Sequence, residues 1–182
     1  VGAEVNGNEV AVGATGKGGG AATAWGDVTV LCASAGCGAA ASAAAQLDGV
    51  GKVLCADDAA YGNGLAEPIA DLIVSLAGDY SHFVAPATNS AKNILPRVAA
   101  LLDVMVITDI TAVVDADTFE RPIYAGNAIQ RVKSGDSKKV LSVRTANFDA
   151  VGSNGAAAVE SISAVPNPEL SQWIEDKVAS SD

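Results

Sequence analysis

Apolar residues in this chain fall into short, dense runs separated by longer stretches of mixed character. Asp27-Val28-Thr29-Val30-Leu31-Cys32-Ala33 sets the pattern. Valine and leucine occupy both faces of such a run, as a strand buried inside a parallel sheet requires. Runs of this kind predict strands over residues 27–33, 52–56, 80–85 and 104–109, with helices over 39–47, 65–77 and 90–102 between them. Pro68 falls in the first turn of the second of these helices, where its missing donor is harmless. Residues 1–5 read as the remains of an earlier strand, and a helix over residues 14–25 would supply the crossover to the next one. Gly16-Lys17-Gly18-Gly19-Gly20 is poor helix material for that task. Strand and helix in alternation predict an α/β fold, a doubly wound and mostly parallel sheet of Rossmann-like type.

The period changes after residue 110. Short β-rich runs over residues 111–114, 118–124, 128–133 and 139–145 are divided by turn residues, with no helix between them. They predict antiparallel hairpins that extend or flank the sheet. Residues 151–164 are rich in Gly, Ala and Ser and read as a linker. Residues 168–178 close the chain as a short amphipathic helix with Leu170, Trp173, Ile174 and Lys177 on one face. The predicted organisation is therefore an α/β domain over residues 1–150, then a linker and helix over 151–182.

Composition narrows the classes of function. The net charge is −10, and no Lys/Arg cluster is present to displace the counterions of a nucleic acid. No apolar run reaches the roughly 18 residues of a membrane span. Val1-Gly2-Ala3-Glu4-Val5 has neither the basic and apolar regions of a signal peptide nor an Arg-rich transit sequence. A four-ligand zinc site would need all three cysteines and the one histidine together, and no metal site is expected. An odd cysteine count points to a reducing compartment. Cys32 and Cys55 lie in apolar runs and read as buried thiols, whereas Cys37, between two glycines, is the more exposed of the three by this reading.

Gly36-Cys37-Gly38-Ala39-Ala40-Ala41 follows a strand, opens a helix and matches the G-x-G-x-x-A dinucleotide pattern, with Asp57 at the end of the next strand. The match follows the second strand instead of the first, and extra residues separate it from that strand. A plain strand-to-helix turn accounts for it better. Gly13-Ala14-Thr15-Gly16-Lys17-Gly18 fails as a phosphate loop, because Gly18 replaces the hydroxyl residue needed after the lysine. His82 lies within a strand and reads as a neutral, hydrogen-bonded structural histidine. Asp57, Asp58, Asp115 and Asp117 read as turn acids. No nucleophile stands beside a base.

Three segments taken together carry a resemblance. They are Pro86-Ala87-Thr88-Asn89-Ser90-Ala91-Lys92-Asn93-Ile94-Leu95-Pro96-Arg97-Val98, then Thr118-Phe119-Glu120-Arg121-Pro122-Ile123-Tyr124-Ala125-Gly126-Asn127-Ala128, then Val143-Arg144-Thr145 through Phe148-Asp149. In this order and spacing the chain resembles the N-terminal domain of the alpha subunit of electron transfer flavoprotein, of bacterial or mitochondrial type, over roughly residues 26–182. The resemblance implies a scaffold domain without catalytic groups, paired with a beta subunit that binds AMP. It places the FAD-binding half of alpha after Asp182, outside this segment. It further implies a carrier that takes electrons from acyl-CoA dehydrogenases to a quinone oxidoreductase in fatty acid oxidation. The expected location is the bacterial cytoplasm, or the mitochondrial matrix in a eukaryote. Lys92, Asn93, Arg97, Arg121 and Tyr124 are the interface candidates, since Tyr and Arg suit desolvated contacts. The alternative is a free-standing nucleotide-binding module that uses Gly36, Gly38 and Asp57.

Overall fold

The computed structural model describes residues 9–12, 28–175 and 177. The expected strand at residues 1–5, the expected helix at 14–25 and the Gly13–Gly18 loop lie outside them. Among the described residues ten strands run in chain order as β1 (Glu9–Val12), β2 (Val28–Ser34), β3 (Val50–Asp57), β4 (His82–Pro86), β5 (Val106–Ile110), β6 (Ala112–Val113), β7 (Thr118–Ile123), β8 (Ala128–Lys133), β9 (Lys139–Val143) and β10 (Ala158–Ser161). The described helices are α1 (Gly38–Ala44), α2 (Ala66–Leu76) and α3 (Asn89–Leu101).

Seven strands form one sheet in the order β10-β3-β2-β1-β4-β9-β5, and every pairing in it is parallel. The strand order departs from β1 in both directions, towards β2 and towards β4. The doubly wound α/β class predicted from the sequence is the observed one. Strands β6, β7 and β8 make a separate antiparallel sheet of three.

Strand alternation sorts the core into two layers. Leu31, Leu54, Ala56, Phe83, Ala85 and Val140 face one side, where Ile69, Ile73, Leu95 and Val98 of α2 and α3 cover them. Val30, Cys32, Val53, Cys55, Val84, Leu141 and Val143 face the other, where Ala41 and Ala44 of α1 and Phe119 of β7 cover them. That division is the period of two expected of a pleated strand. The three-stranded sheet therefore does the work of a helix layer, with Phe119 fully buried as its anchor.

Three expectations are corrected. First, the run over residues 139–145 is no hairpin strand: β9 inserts between β4 and β5 and runs parallel to both. Val140, Leu141, Ser142 and Val143 are all buried, so the strand needs neighbours on both edges and cover on both faces. The antiparallel sheet is the crossover that returns the chain in the parallel sense. Second, the segment read as a linker holds β10, which adds to the free edge of β3 with four register pairs, Ala158 with Lys52 through Ser161 with Cys55. Gly155 lets this happen. A Cβ there would stand 2.5 Å from the Leu47 carbonyl oxygen, while its own N–H donates to Gln46 O at 2.9 Å.

Third, the helix expected over residues 168–178 is not formed across the described residues. Asn167 Oδ1 accepts from Glu169 N at 3.0 Å, and Glu169 takes a left-handed φ of 52°. This is a side-chain turn that competes with helix initiation. The segment continues without regular structure, and two bonds tie it to the domain: Val165 N donates to Tyr61 Oη, ahead of α2, at 3.0 Å, and Ser171 Oγ donates to Glu67 Oε2 of α2 at 2.6 Å.

Candidate functional site

Parallel strands collect their loops at one end of the sheet, and ligands of such folds sit there. At that end the last residues of β4, β9 and β5 are neighbours. Ala87 N donates to Val143 O at 2.8 Å, and Arg144 N to Ile110 O at 2.9 Å. Helix α3 starts beside them, with Thr88 Oγ1 accepting from Ala91 N at 3.3 Å as its N-cap. The loops enclose an open polar cleft of about 350 Å³, whose walls include Thr88, Lys92, Asp109, Arg144 and Thr145.

Asp109 is its centre. Its backbone is left-handed at φ 65°, a conformation that Asp tolerates better than most residues. Its N–H donates to the buried Ser142 Oγ at 2.8 Å. Its carboxylate accepts from Arg144 Nη2 at 2.6 Å. That bond and the fields of Arg144, Lys92 and Arg121 hold the Asp109 carboxyl below the usual range, and the same bond raises the Arg144 guanidinium. Three cations thus face one carboxylate, on a chain whose net charge is −10.

The sequence-derived candidates separate. Lys92 is exposed at the cleft, and Asn93 beside it on α3 is exposed as well. Arg121 reaches under them to donate to Thr108 Oγ1 at 3.0 Å. Arg97 turns the other way and pairs with Asp71 of α2 at 3.8 Å, a helix-to-helix tie. Tyr124 stands apart at the far end of β7, 79% exposed. Around it Tyr124, Ala125 and Gly126 are left-handed in succession, at φ 50°, 55° and 92°. Asn127 Nδ2 closes that turn by donating to Tyr124 O at 2.8 Å.

Asp109, Ser142 and Thr108 were not singled out from the sequence. A signal existed: an acid ending one strand and an arginine just past another meet once those strands are known to be neighbours. Reading β9 as a hairpin strand hid it.

The dinucleotide-like motif is built differently from a cradle. Asp57 Oδ1 accepts from Gly36 N at 2.7 Å, so the acid closes the turn between β2 and α1. Helix α1 has only seven residues. Cys37 is buried, against the expectation that it is the exposed thiol. Its side chain lies under the turn, with Gly36 and Gly38 outside. His82 is the structural histidine expected, with Ser81 Oγ 3.0 Å from Nδ1 and Nε2 2.7 Å from Ala116 O. The acids are likewise turn acids: Asp58 Oδ1 accepts from Ala60 N, Asp115 Oδ1 from Asp117 N, and Asp117 pairs with Lys139 at 2.5 Å. Among the described residues no group of three or more His, Cys, Asp or Glu is placed to hold a metal ion, and no helix is long and apolar enough to cross a membrane.

Residues 9–168 match the family model described as the electron transfer flavoprotein domain. The chain is 63% identical over 169 residues to the electron transfer flavoprotein subunit alpha of Paracoccus denitrificans, covering 93% of this chain and 55% of that protein. It is 52% identical over 158 residues to the subunit alpha of Pseudomonas aeruginosa, covering 86% and 51%. It is 46% identical over 139 residues to the mitochondrial subunit alpha of Dictyostelium discoideum, covering 72% and 39%. The chain spans about half the length of the bacterial relatives it matches.

Proposed function

The chain belongs to the electron transfer flavoprotein family, as the N-terminal domain of an alpha subunit, and from that premise we propose that it is a scaffold. In this reading it binds a beta subunit and seats the FAD-binding part of alpha, within a heterodimer that carries electrons from acyl-CoA dehydrogenases to a quinone oxidoreductase. The scaffold spans residues 1–150. Residues 151–182 lead on to the flavin-binding part, and β10 within them pairs with the edge of β3. AMP belongs to the beta subunit, and this segment supplies no catalytic group. The complex works in the bacterial cytoplasm, or in the mitochondrial matrix of a eukaryotic host.

One observation carries this reading. The hairpin of β7 and β8 ends in a strained turn that puts Tyr124 79% and Ile129 59% in solvent. Left-handed backbone at a tyrosine and an alanine costs energy that an unoccupied turn would not keep. An exposed tyrosine flanked by an apolar residue is what a desolvated contact uses. Lys92 and Asn93 at the cleft would be contacts of the same kind, whereas Arg97 is committed to Asp71 within the domain.

The described residues do not fit FAD or AMP. Gly36 N–H, the donor a pyrophosphate would need, is taken by Asp57, and Arg144 is taken by Asp109. The nucleotide-module alternative loses its support on the same ground.

Two measurements test the proposal. Full-length alpha should co-purify with beta subunit as a yellow heterodimer. The segment of residues 1–182 should stay colourless and show no tight binding when titrated with FAD, NADH and AMP. A stoichiometric flavin held by the segment itself would overturn it.

A further inference from the structure

The scaffold reading makes no use of the three cysteines, yet the fold gathers them. Cys32 and Cys55 are register partners on the adjacent strands β2 and β3. Cys37 folds back over them from the turn that precedes α1. All three are buried and free, in one apolar layer. Cys37 Sγ lies 3.2 Å from Cys55 Sγ, and it donates to the Cys32 carbonyl at 3.6 Å. A disulfide holds its sulfurs about 2.05 Å apart, so roughly 1 Å of further approach would join Cys37 to Cys55.

We propose that Cys37 and Cys55 form a peroxide-responsive dithiol, a modification site that closes reversibly to an intrachain disulfide while Cys32 stays reduced. Of the pair, Cys37 is the thiol an oxidant reaches first. It is buried, but Ala35, Gly36, Gly38, Ala39 and Ala40 around it are exposed. Gly36 sits at φ 70°, and α1 has no side-chain cap to fix its start. A small hinge of this turn uncovers the sulfur. Cys55 lies inside β3, and burial together with the Cys37 thiol pushes its pKa up to about 11. It is slow towards solvent oxidants and acts through its closeness to Cys37.

The chemistry balances. The Cys37 thiolate attacks one oxygen of hydrogen peroxide, the O–O bond breaks, and Cys37 becomes a sulfenic acid as water leaves. Cys55 sulfur then attacks the Cys37 sulfur, the S–O bond breaks, and the departing hydroxyl takes the Cys55 proton as a second water. Two thiols lose two electrons and two protons, and one peroxide becomes two waters. Two equivalents of a small thiol reverse the change by exchange.

The experiment uses the full-length subunit in its native assembly. It is treated with hydrogen peroxide, unfolded with alkylating agent present to block remaining thiols, and digested without reductant. Mass analysis should find a peptide pair joining Cys37 to Cys55, lighter than the sum of its parts by two hydrogens. Cys32 should be alkylated, and the pair should vanish after dithiothreitol. In Cys37→Ser, whose new hydroxyl suits a helix N-cap, the linkage should be lost. All three cysteines alkylated after peroxide, Cys32 linked to either partner, or a disulfide forming equally fast in Cys37→Ser would each overturn the proposal.

Discussion

At the scale of single residues, the informative positions are those held in left-handed backbone. Tyr124 and Ala125 are two of them, and neither has the side chain of Asn or Asp that makes this region tolerable. Replacing Ala125 with Gly removes a Cβ clash at φ 55° and should raise stability by about 1 kcal/mol, read as a higher urea midpoint with unchanged slope. A fall in stability would mean that the turn is relaxed, which removes the argument for strain there. Asp109 carries the same conformation and titrates as well. Its folded pKa lies below the ordinary value of 3.8, first because of the Arg144 hydrogen bond. A depressed carboxyl contributes stability above its unfolded pKa and loses it as pH falls through the folded one. Stability should therefore decline below about pH 4. In Asp109→Asn, which keeps the left-handed preference and loses the charge, that decline should be shallower in acid-titrated urea curves. It should not vanish, because Glu67, Asp115 and Asp117 are lowered too. The positive φ was not legible in Thr108-Asp109-Ile110, and the arginine 35 positions away becomes legible only once β5 and β9 are known to be neighbours.

At the scale of elements, the sequence told strand from helix well and told neighbours poorly. Each strand and helix expected between residues 27 and 133 is present within a few residues of its predicted ends, because dense apolar runs have one structural use. Pairing is different. Residues 139–143 look the same whether they finish a hairpin or return to the main sheet, and only the burial of all of Val140 to Val143 distinguishes the two. Around residue 155, glycine reads in the sequence as looseness, whereas in the fold it marks a close approach to Leu47. Composition alone cannot separate these two uses of a residue without a side chain. The element that most depends on one residue is the antiparallel sheet. Phe119 is fully buried in the layer it shares with Leu141 and Val143. Phe119→Ala should cost roughly 3–5 kcal/mol in urea denaturation. The loss should appear first as faster amide exchange in β6, β7 and β8, with β2, β3 and β4 still protected. Uniform loss of protection across both sheets would show that the small sheet is no separate layer.

At the scale of the whole molecule, the question is which surface meets a companion. The charge of −10 belongs to the chain as a whole, while Lys92, Arg121 and Arg144 gather around Asp109. Charge of either sign is therefore locally available, and steering alone does not choose a face. Apolar exposure chooses better. Tyr124 and Ile129 both stand at the tip of the β7–β8 hairpin, where Ile129 is paired across the ladder with Pro122. Both side chains are largely in solvent, so removing them should leave the fold alone. Tyr124→Ala combined with Ile129→Ser is expected to change the urea midpoint by no more than about 0.5 kcal/mol equivalent. If the tip is buried against the beta subunit, the same variant should weaken assembly by at least about 1–2 kcal/mol, roughly tenfold. Calorimetric titration of full-length alpha with beta measures that directly. A control, Leu101→Ser, alters another exposed apolar residue at the end of α3, 48% exposed, and should bind as the parent does. Equal weakening by both would point to general surface hydrophobicity. No weakening by the hairpin variant would move the interface away from Tyr124, and the left-handed turn would then have no partner to offset its cost.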